Sequence, residues 1–128
     1  MRTFLIASGA LGFLGVLLGA FGAHGLQRKL ADLPDAAKRM EWWQTATQYH
    51  LVHALAVGLV AFAAARAPGT AVSVAGWCFV AGIALFSGSL YVMTVTGARS
   101  LGAVTPFGGL CFLVGWAALV WVAAKLPG

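Results

Sequence analysis

The sequence predicts an all-α fold, a membrane four-helix bundle with four transmembrane helices. The 128-residue chain is 61% hydrophobic and only 9% charged, whereas a soluble domain is usually about a quarter charged. Its charged residues leave four uncharged stretches, each longer than the ~20 residues that a helix needs to cross a bilayer: 3–27, 42–65, 67–98 and 100–124. A membrane barrel would need at least about eight strands of alternating polarity. No such alternation occurs in the sequence, so helices are the predicted spans.

The first span is expected at residues 3–24. Gly15, Gly19 and Ala23 follow one another at intervals of four, a spacing that lets two helix backbones approach closely in lipid. We therefore expect another helix to cover this stripe. Gly25 comes next and is a candidate stop for the helix.

The polar segment 27–43 should contain the start of the second helix. Pro34 and Asp35 are typical of a helix N-terminus, and no further glycine or proline occurs until Gly58. The helix should therefore begin outside the membrane and continue without interruption through the second span, at residues 44–66.

The third span is expected at residues 71–96, after a turn rich in alanine, proline and glycine. Thr105 and Pro106 have the pattern of a helix start, which places the fourth span at residues 105–125. The sequence contains no internal repeat. Residues 1–128 are thus predicted to form a single four-span membrane domain.

The basic residues indicate contact with membrane lipid. The net charge is +5, and most Lys and Arg residues lie at the ends of apolar spans, where lipid headgroups would meet them. No basic stripe with interleaved aromatic residues is present, so no nucleic acid partner is expected. The glycine-rich helix faces could instead contact a second copy or another membrane protein. Three basic residues share one membrane face and five share the other, which leaves the orientation open.

Polar residues are expected to collect at one end of the bundle. We call the membrane side that carries residues 27–41 the loop face, and the half of the bundle next to it the loop half. Alternation of the spans places all three histidines and both tyrosines in the loop half. Polar groups cost free energy in lipid unless they are partnered, so they should point inward. The predicted ligand-binding residues are His24, Tyr49, His50, His53, Ser87, Ser89, Tyr91 and Thr105.

The histidines are also a candidate metal site. His50 and His53 are three residues apart and therefore about 60° apart around a helix. Both could point into one site, with His24 arriving from the first helix. Three imidazoles could ligate copper, zinc or haem iron, although the sequence requires no cofactor. The alternative is that the polar residues simply join the helices through hydrogen bonds.

No motif indicates an enzyme. The sequence around Ser87 resembles the rhomboid-protease pattern Gly-x-Ser-Gly, but Leu85 replaces the first glycine. Metalloprotease, P-loop and dinucleotide patterns do not occur. Small four-helix multidrug exporters resemble the chain in length, yet they carry a membrane carboxylate, whereas Asp32, Asp35 and Glu41 all lie in the polar segment. Proton-coupled transport would therefore have to use the histidines.

Several sequence runs resemble one known family. They are residues 18–26 (LGAFGAHGL), 43–46 (WQTA), 49–55 (YHLVHAL), 85–91 (LFSGSLY), 105–109 (TPFGG) and 115–116 (GW). Together they are similar to the bacterial family called domain of unknown function 423, to which eukaryotic transmembrane protein 256 is related. The resemblance covers all four spans in order. It implies a small multi-pass protein of the bacterial inner membrane, with no established activity.

The leading functional hypothesis is a small-ligand or metal-binding membrane protein, or an accessory subunit of a larger assembly, with a polar site in the loop half. A metal or haem held by the histidines is one form of it. The alternative is a homo-oligomeric transporter or channel subunit for a small molecule. A purely structural helper is the third reading.

Overall fold

The computed structural model describes residues 1–126 and consists of four long helices. They are α1 (Arg2–Leu30), α2 (Ala36–Arg66), α3 (Thr70–Thr96) and α4 (Thr105–Ala123), the last preceded by a 3-10 turn at Arg99–Ala103. All four are long and apolar enough to span a membrane, and no strand occurs among the described residues. The predicted all-α, four-span architecture is therefore confirmed. The predicted domain ends at residue 128, two residues outside the described part.

The two central helices carry most of the packing. α2 packs against α3, α1 lies mainly along α2, and α4 lies mainly along α3. The most apolar stretches of α2 and α3 are each 44% buried, whereas those of α1 and α4 are only 11% and 17% buried. The two outer helices therefore present most of their side chains to lipid.

Helix α1 packs through positions spaced alternately by four and three residues: Phe4, which contacts Gly76 and Trp77 of α3, and then Ser8, Leu11, Gly15, Leu18 and Gly22, which face α2. The predicted stripe is correct at Gly15, where an added Cβ would lie 2.7 Å from Leu51 Cδ2. No other helix within residues 1–126 of this chain covers Gly19, where a Cβ would meet no atom of another helix within 4 Å, or Ala23, which is exposed. Constant steps of four drift by about 40° each around a helix, whereas alternating steps of four and three stay on one face.

A π-helical turn at Gly22–Leu26 changes which residues α1 buries. If the alternation of three and four residues continued beyond Gly22, the next buried positions would be Gly25 and Lys29. The π turn adds one residue, and Leu26 and Leu30 are buried instead, while Lys29 stays at the surface. The expected stop at Gly25 is therefore wrong, because the helix absorbs this glycine and continues to Leu30.

Helix α2 begins and ends as predicted, with Asp35 as its N-cap residue and an uninterrupted course from Ala36 to Arg66. Near its start, Arg39 Nε donates to both carboxylate oxygens of Asp35, at 3.1 Å each. Arg39 Nη1 also donates to the Thr94 carbonyl at 3.3 Å, and Thr94 Oγ1 donates to the Arg39 carbonyl at 3.1 Å. These bonds join the start of α2 to the end of α3 at the loop face.

The contact between α1 and α2 can be tested with two glycines of α1. A methyl group at Gly22 would meet the indole of Trp43, whose Nε1 donates to the Leu18 carbonyl at 2.9 Å. We expect Gly22→Ala to lower the free energy of unfolding by about 1–3 kcal/mol. Gly19→Ala is the matched control, since its new methyl group would meet no atom of another helix in residues 1–126 within 4 Å. Thermal unfolding in detergent measures both, and equal melting of the two variants would contradict this packing.

Candidate functional site

Hydrogen bonds between side chains and backbone join α2 to α3 in the loop half. Ser87 is fully buried, and its Oγ donates to the Ala46 carbonyl at 2.7 Å. It closes a second π-helical turn, Ile83–Ser87, in the middle of α3. One turn further along, the Tyr91 hydroxyl lies 2.8 Å from His50 Nδ1. His50 and Tyr91 thus form one bonded pair between α2 and α3, whereas Ser87 bonds separately to the α2 backbone.

Ser89 and Thr105 link α3 to α4. Their hydroxyl oxygens are 2.6 Å apart, and Ser89 Oγ also donates to the Phe86 carbonyl at 2.9 Å. Both residues were predicted as site residues. The structure brings them together as an interhelical bond at the N-terminal end of α4.

His53 is fully hydrogen-bonded between α2 and α4. Its Nδ1 lies 2.8 Å from the Tyr49 carbonyl, which can only accept, so Nδ1 carries the proton. Its Nε2 accepts from Trp116 Nε1 at 3.1 Å. The imidazole also stacks on the Phe112 ring, with centroids 3.5 Å apart and an interplanar angle of 8°. His53 is therefore a neutral imidazole whose two nitrogens are both occupied.

His50 points in another direction. It is 1% exposed, and its ring faces α1, where a Cβ added at Gly15 would lie 3.4 Å from His50 Cδ2. Its Nε2 has no hydrogen-bond partner of good geometry within the described part of the chain, and the Leu11 backbone lies near the ring. This nitrogen is buried at the interface between α1 and α2.

The predicted metal set, His24, His50 and His53, is not assembled. His24 is exposed on the π turn of α1. The 60° between His50 and His53 is enough to send one ring toward α1 and Tyr91 and the other toward α4. Across residues 1–126, no group of three His, Cys, Asp or Glu residues is placed to hold a metal ion.

Tyr49 lines a groove of about 680 Å3 between α2 and α4. The other lining residues are His53, Phe86, Pro106, Gly109, Leu110, Phe112, Leu113 and Trp116. Leu110 and Leu113 are 58% and 67% exposed, so this side of the groove opens toward lipid. From Pro106 near the loop face to Trp116 the groove follows ten residue steps of α4, about 15 Å of helix.

Aromatic rings dominate the wall of this groove. The Tyr49 ring lies 13° from the plane of His53 and 21° from that of Phe112. Tyr49 also contacts Phe86, with centroids 4.5 Å apart. Its side chain is 42% exposed, and its hydroxyl makes no hydrogen bond to any of residues 1–126. Of the polar groups on the aromatic side chains that line the groove, the Tyr49 hydroxyl is the one without a hydrogen-bond partner among residues 1–126.

Sequence reasoning did not single out the α4 wall of the groove. Pro106, Gly109, Leu113 and Trp116 follow one another at steps of three and four, which places them on one helix face. That spacing was visible in the sequence. The sequence did not indicate that this face lines a groove, because α4 is apolar on every face, so residues that face lipid and residues that face a groove are of the same type.

The comparisons with known proteins agree on one family. Residues 18–109 match the family model described as "Protein of unknown function (DUF423)". The UPF0382 membrane protein YwdK of Bacillus subtilis is 46% identical over 126 residues, which cover 98% of each chain. A UPF0382 membrane protein of Staphylococcus epidermidis is 41% identical over 130 residues and the full length of both chains. These names state a membrane location and no enzymatic activity. No solved structure matches the chain significantly.

Proposed function

Because the chain belongs to the DUF423 family of multi-pass membrane proteins, whose function is unknown, we propose one from geometry: it binds a lipid-soluble small molecule in the groove between α2 and α4. The observation that carries this proposal is the groove itself, an aromatic wall around one unpartnered hydroxyl, that of Tyr49. In this proposal, residues 1–128 act as one four-span domain.

The setting of the groove limits what can enter it. Its rim is made by exposed leucines of a membrane-spanning helix, so a ligand would arrive from the bilayer rather than from water. Its volume of about 680 Å3 lies within the range of small-molecule sites, which are mostly apolar with a few polar groups that fix orientation. A lipid-soluble molecule with a small polar group fits both conditions.

The other polar residues of the loop half serve this site as scaffold. Ser87 bonds α3 to α2, Ser89 bonds α3 to Thr105, and His53 bonds α2 to α4. Interhelical bonds of this kind contribute about 0.6–2 kcal/mol each in membrane proteins. They hold the groove's two walls at a fixed distance, so that the aromatic rings are arranged before a ligand arrives.

Filling the groove tests the proposal. Gly109 lines it, and a Cβ added there would meet no described atom of another helix within 4 Å, so Gly109→Leu places a side chain in the groove from a position where its first carbon has room. We expect the wild-type protein, purified from membranes in mild detergent, to carry a bound small molecule. Gly109→Leu should reduce its amount by about fivefold or more, since overpacking a site costs about 1–3 kcal/mol. Native mass spectrometry followed by extraction measures the amount.

The matched control is Gly12→Leu on α1. That glycine also has open space around it in the described structure, and it lies outside the groove. Gly12→Leu should retain the bound molecule in wild-type amount. Equal retention by Gly109→Leu and Gly12→Leu, or the absence of any bound small molecule in wild type, would overturn the proposal.

A further inference from the structure

We infer that the ligand has a planar ring bearing a hydrogen-bond-accepting oxygen and an aliphatic tail, and that Tyr49 donates its hydroxyl proton to that oxygen. This rests on the proposed function and names the class of molecule that the groove selects. Three features of the groove carry it: the planes of its rings, its free hydroxyl, and the apolar remainder of its length.

The ring planes favour a flat ligand. Tyr49, His53 and Phe112 lie within 8–21° of one another, so they present nearly parallel faces. Aromatic rings prefer offset-stacked or edge-on contacts, and a planar ligand on the exposed side of Tyr49 would stack on that ring, whose centroid lies beside the His53–Phe112 pair at 6.0 and 6.1 Å. A flexible acyl chain would gain nothing from this alignment.

The hydrogen-bonding groups favour an acceptor on that ring. The Trp116 indole N–H is taken by His53 Nε2, and the His53 Nδ1 proton is taken by the Tyr49 carbonyl. The Tyr49 hydroxyl is thus the hydrogen-bond donor in the aromatic wall that has no partner among the described residues. A hydroxyl without a partner costs free energy in hydrocarbon, and a ligand carbonyl or hydroxyl oxygen would remove that cost. A saturated chain alone would leave it unpaired.

The rest of the groove favours a tail. Leu110 and Leu113 lie toward lipid below Pro106, and the groove ends beside Trp116, about 15 Å along α4. This apolar length can hold an aliphatic chain attached to the ring. The ligand class is therefore a lipid-soluble ring compound with an oxygen acceptor, and a prenylated or alkylated quinone has this chemistry.

The test uses decylubiquinone, a benzoquinone with a ten-carbon tail, titrated into the full-length protein in detergent and followed by native mass spectrometry. Oleyl alcohol, which has a hydroxyl and a chain but no ring, is the competitor. We expect one quinone per chain, little displacement by equimolar oleyl alcohol, and binding about three- to tenfold weaker in Tyr49→Phe, the loss that one hydrogen bond supplies. Tyr49→Phe keeps the ring and should fold normally, because the hydroxyl makes no bond within residues 1–126.

The outcomes separate this inference from the proposed function. If oleyl alcohol binds as tightly as the quinone, the ligand's ring has been wrongly assigned. If Tyr49→Phe binds the quinone as tightly as wild type does, the role of the hydroxyl has been wrongly assigned. In both cases Gly109→Leu still reports on whether the groove is the site. If Gly109→Leu binds the quinone as wild type does, the groove is not the site, and the proposed function fails with the inference. Gly12→Leu should bind as wild type throughout.

Discussion

Gly108→Ala should lower the free energy of unfolding by about 3 kcal/mol, at the upper end of the usual cost of overpacking. A methyl group at Gly108 would meet the main-chain nitrogen and Cα of Phe86, so no side-chain rotation can relieve the clash. The backbones of α3 and α4 are also close at Gly82 of α3, since a Cβ on Gly82 would lie 3.1 Å from the Gly108 carbonyl oxygen. α3 and α4 would have to separate, and the bond between Ser89 and Thr105 would be stretched with them.

The adjacent glycine is the control. A Cβ built on Gly109 would meet no atom of another helix in the described range within 4 Å, so Gly109→Ala should be neutral or stabilising by up to about 1 kcal/mol through helix propensity. Unfolding in mixed micelles with increasing dodecyl sulfate measures both variants. Similar stability of Gly108→Ala and Gly109→Ala would show that α3 and α4 do not cross at this point.

The spans were predictable because they depend on local properties of the sequence. Bilayer thickness fixes the length of an apolar helix, and the few charged residues mark its ends. The start of α2 was also local, since Asp35 precedes Ala36 and no helix breaker follows. The end of α1 was not, because the π turn at Gly22–Leu26 is stabilised by contacts with α2, such as Leu26 against Trp43.

The candidate site was predictable in depth and not in direction. Sequence alternation placed Tyr49, His50 and His53 in the loop half, and in the structure they lie close together around the middle of α2, with His53 two residues past its midpoint. The sequence pattern did not indicate which neighbouring helix each ring faces. That depends on how far α1 and α4 rotate around α2, which is decided by packing details such as Gly15 beside His50 and Phe112 beneath His53.

His53→Phe should lower the free energy of unfolding by about 1–2 kcal/mol. Phenylalanine can keep the stacking on Phe112, but it leaves the Trp116 indole N–H without its acceptor in the membrane interior. Trp116→Phe alone should also destabilise, because His53 Nε2 then loses its donor. The double variant removes both unmatched groups, so it should be more stable than the sum of the two single losses predicts, by about 1 kcal/mol.

His24→Phe is the matched control for this cycle. It is the same substitution at an exposed position on the π turn of α1, so it should change stability by less than about 0.5 kcal/mol. His53→Phe should also weaken quinone binding, because the bond to Trp116 holds α4 against α2 along the groove. Strict additivity in the cycle, or equal losses for His53→Phe and His24→Phe, would mean that the indole and the imidazole are not bonded. In that case α4 could move away from α2, and the aromatic wall would have no fixed spacing with which to select a planar ligand.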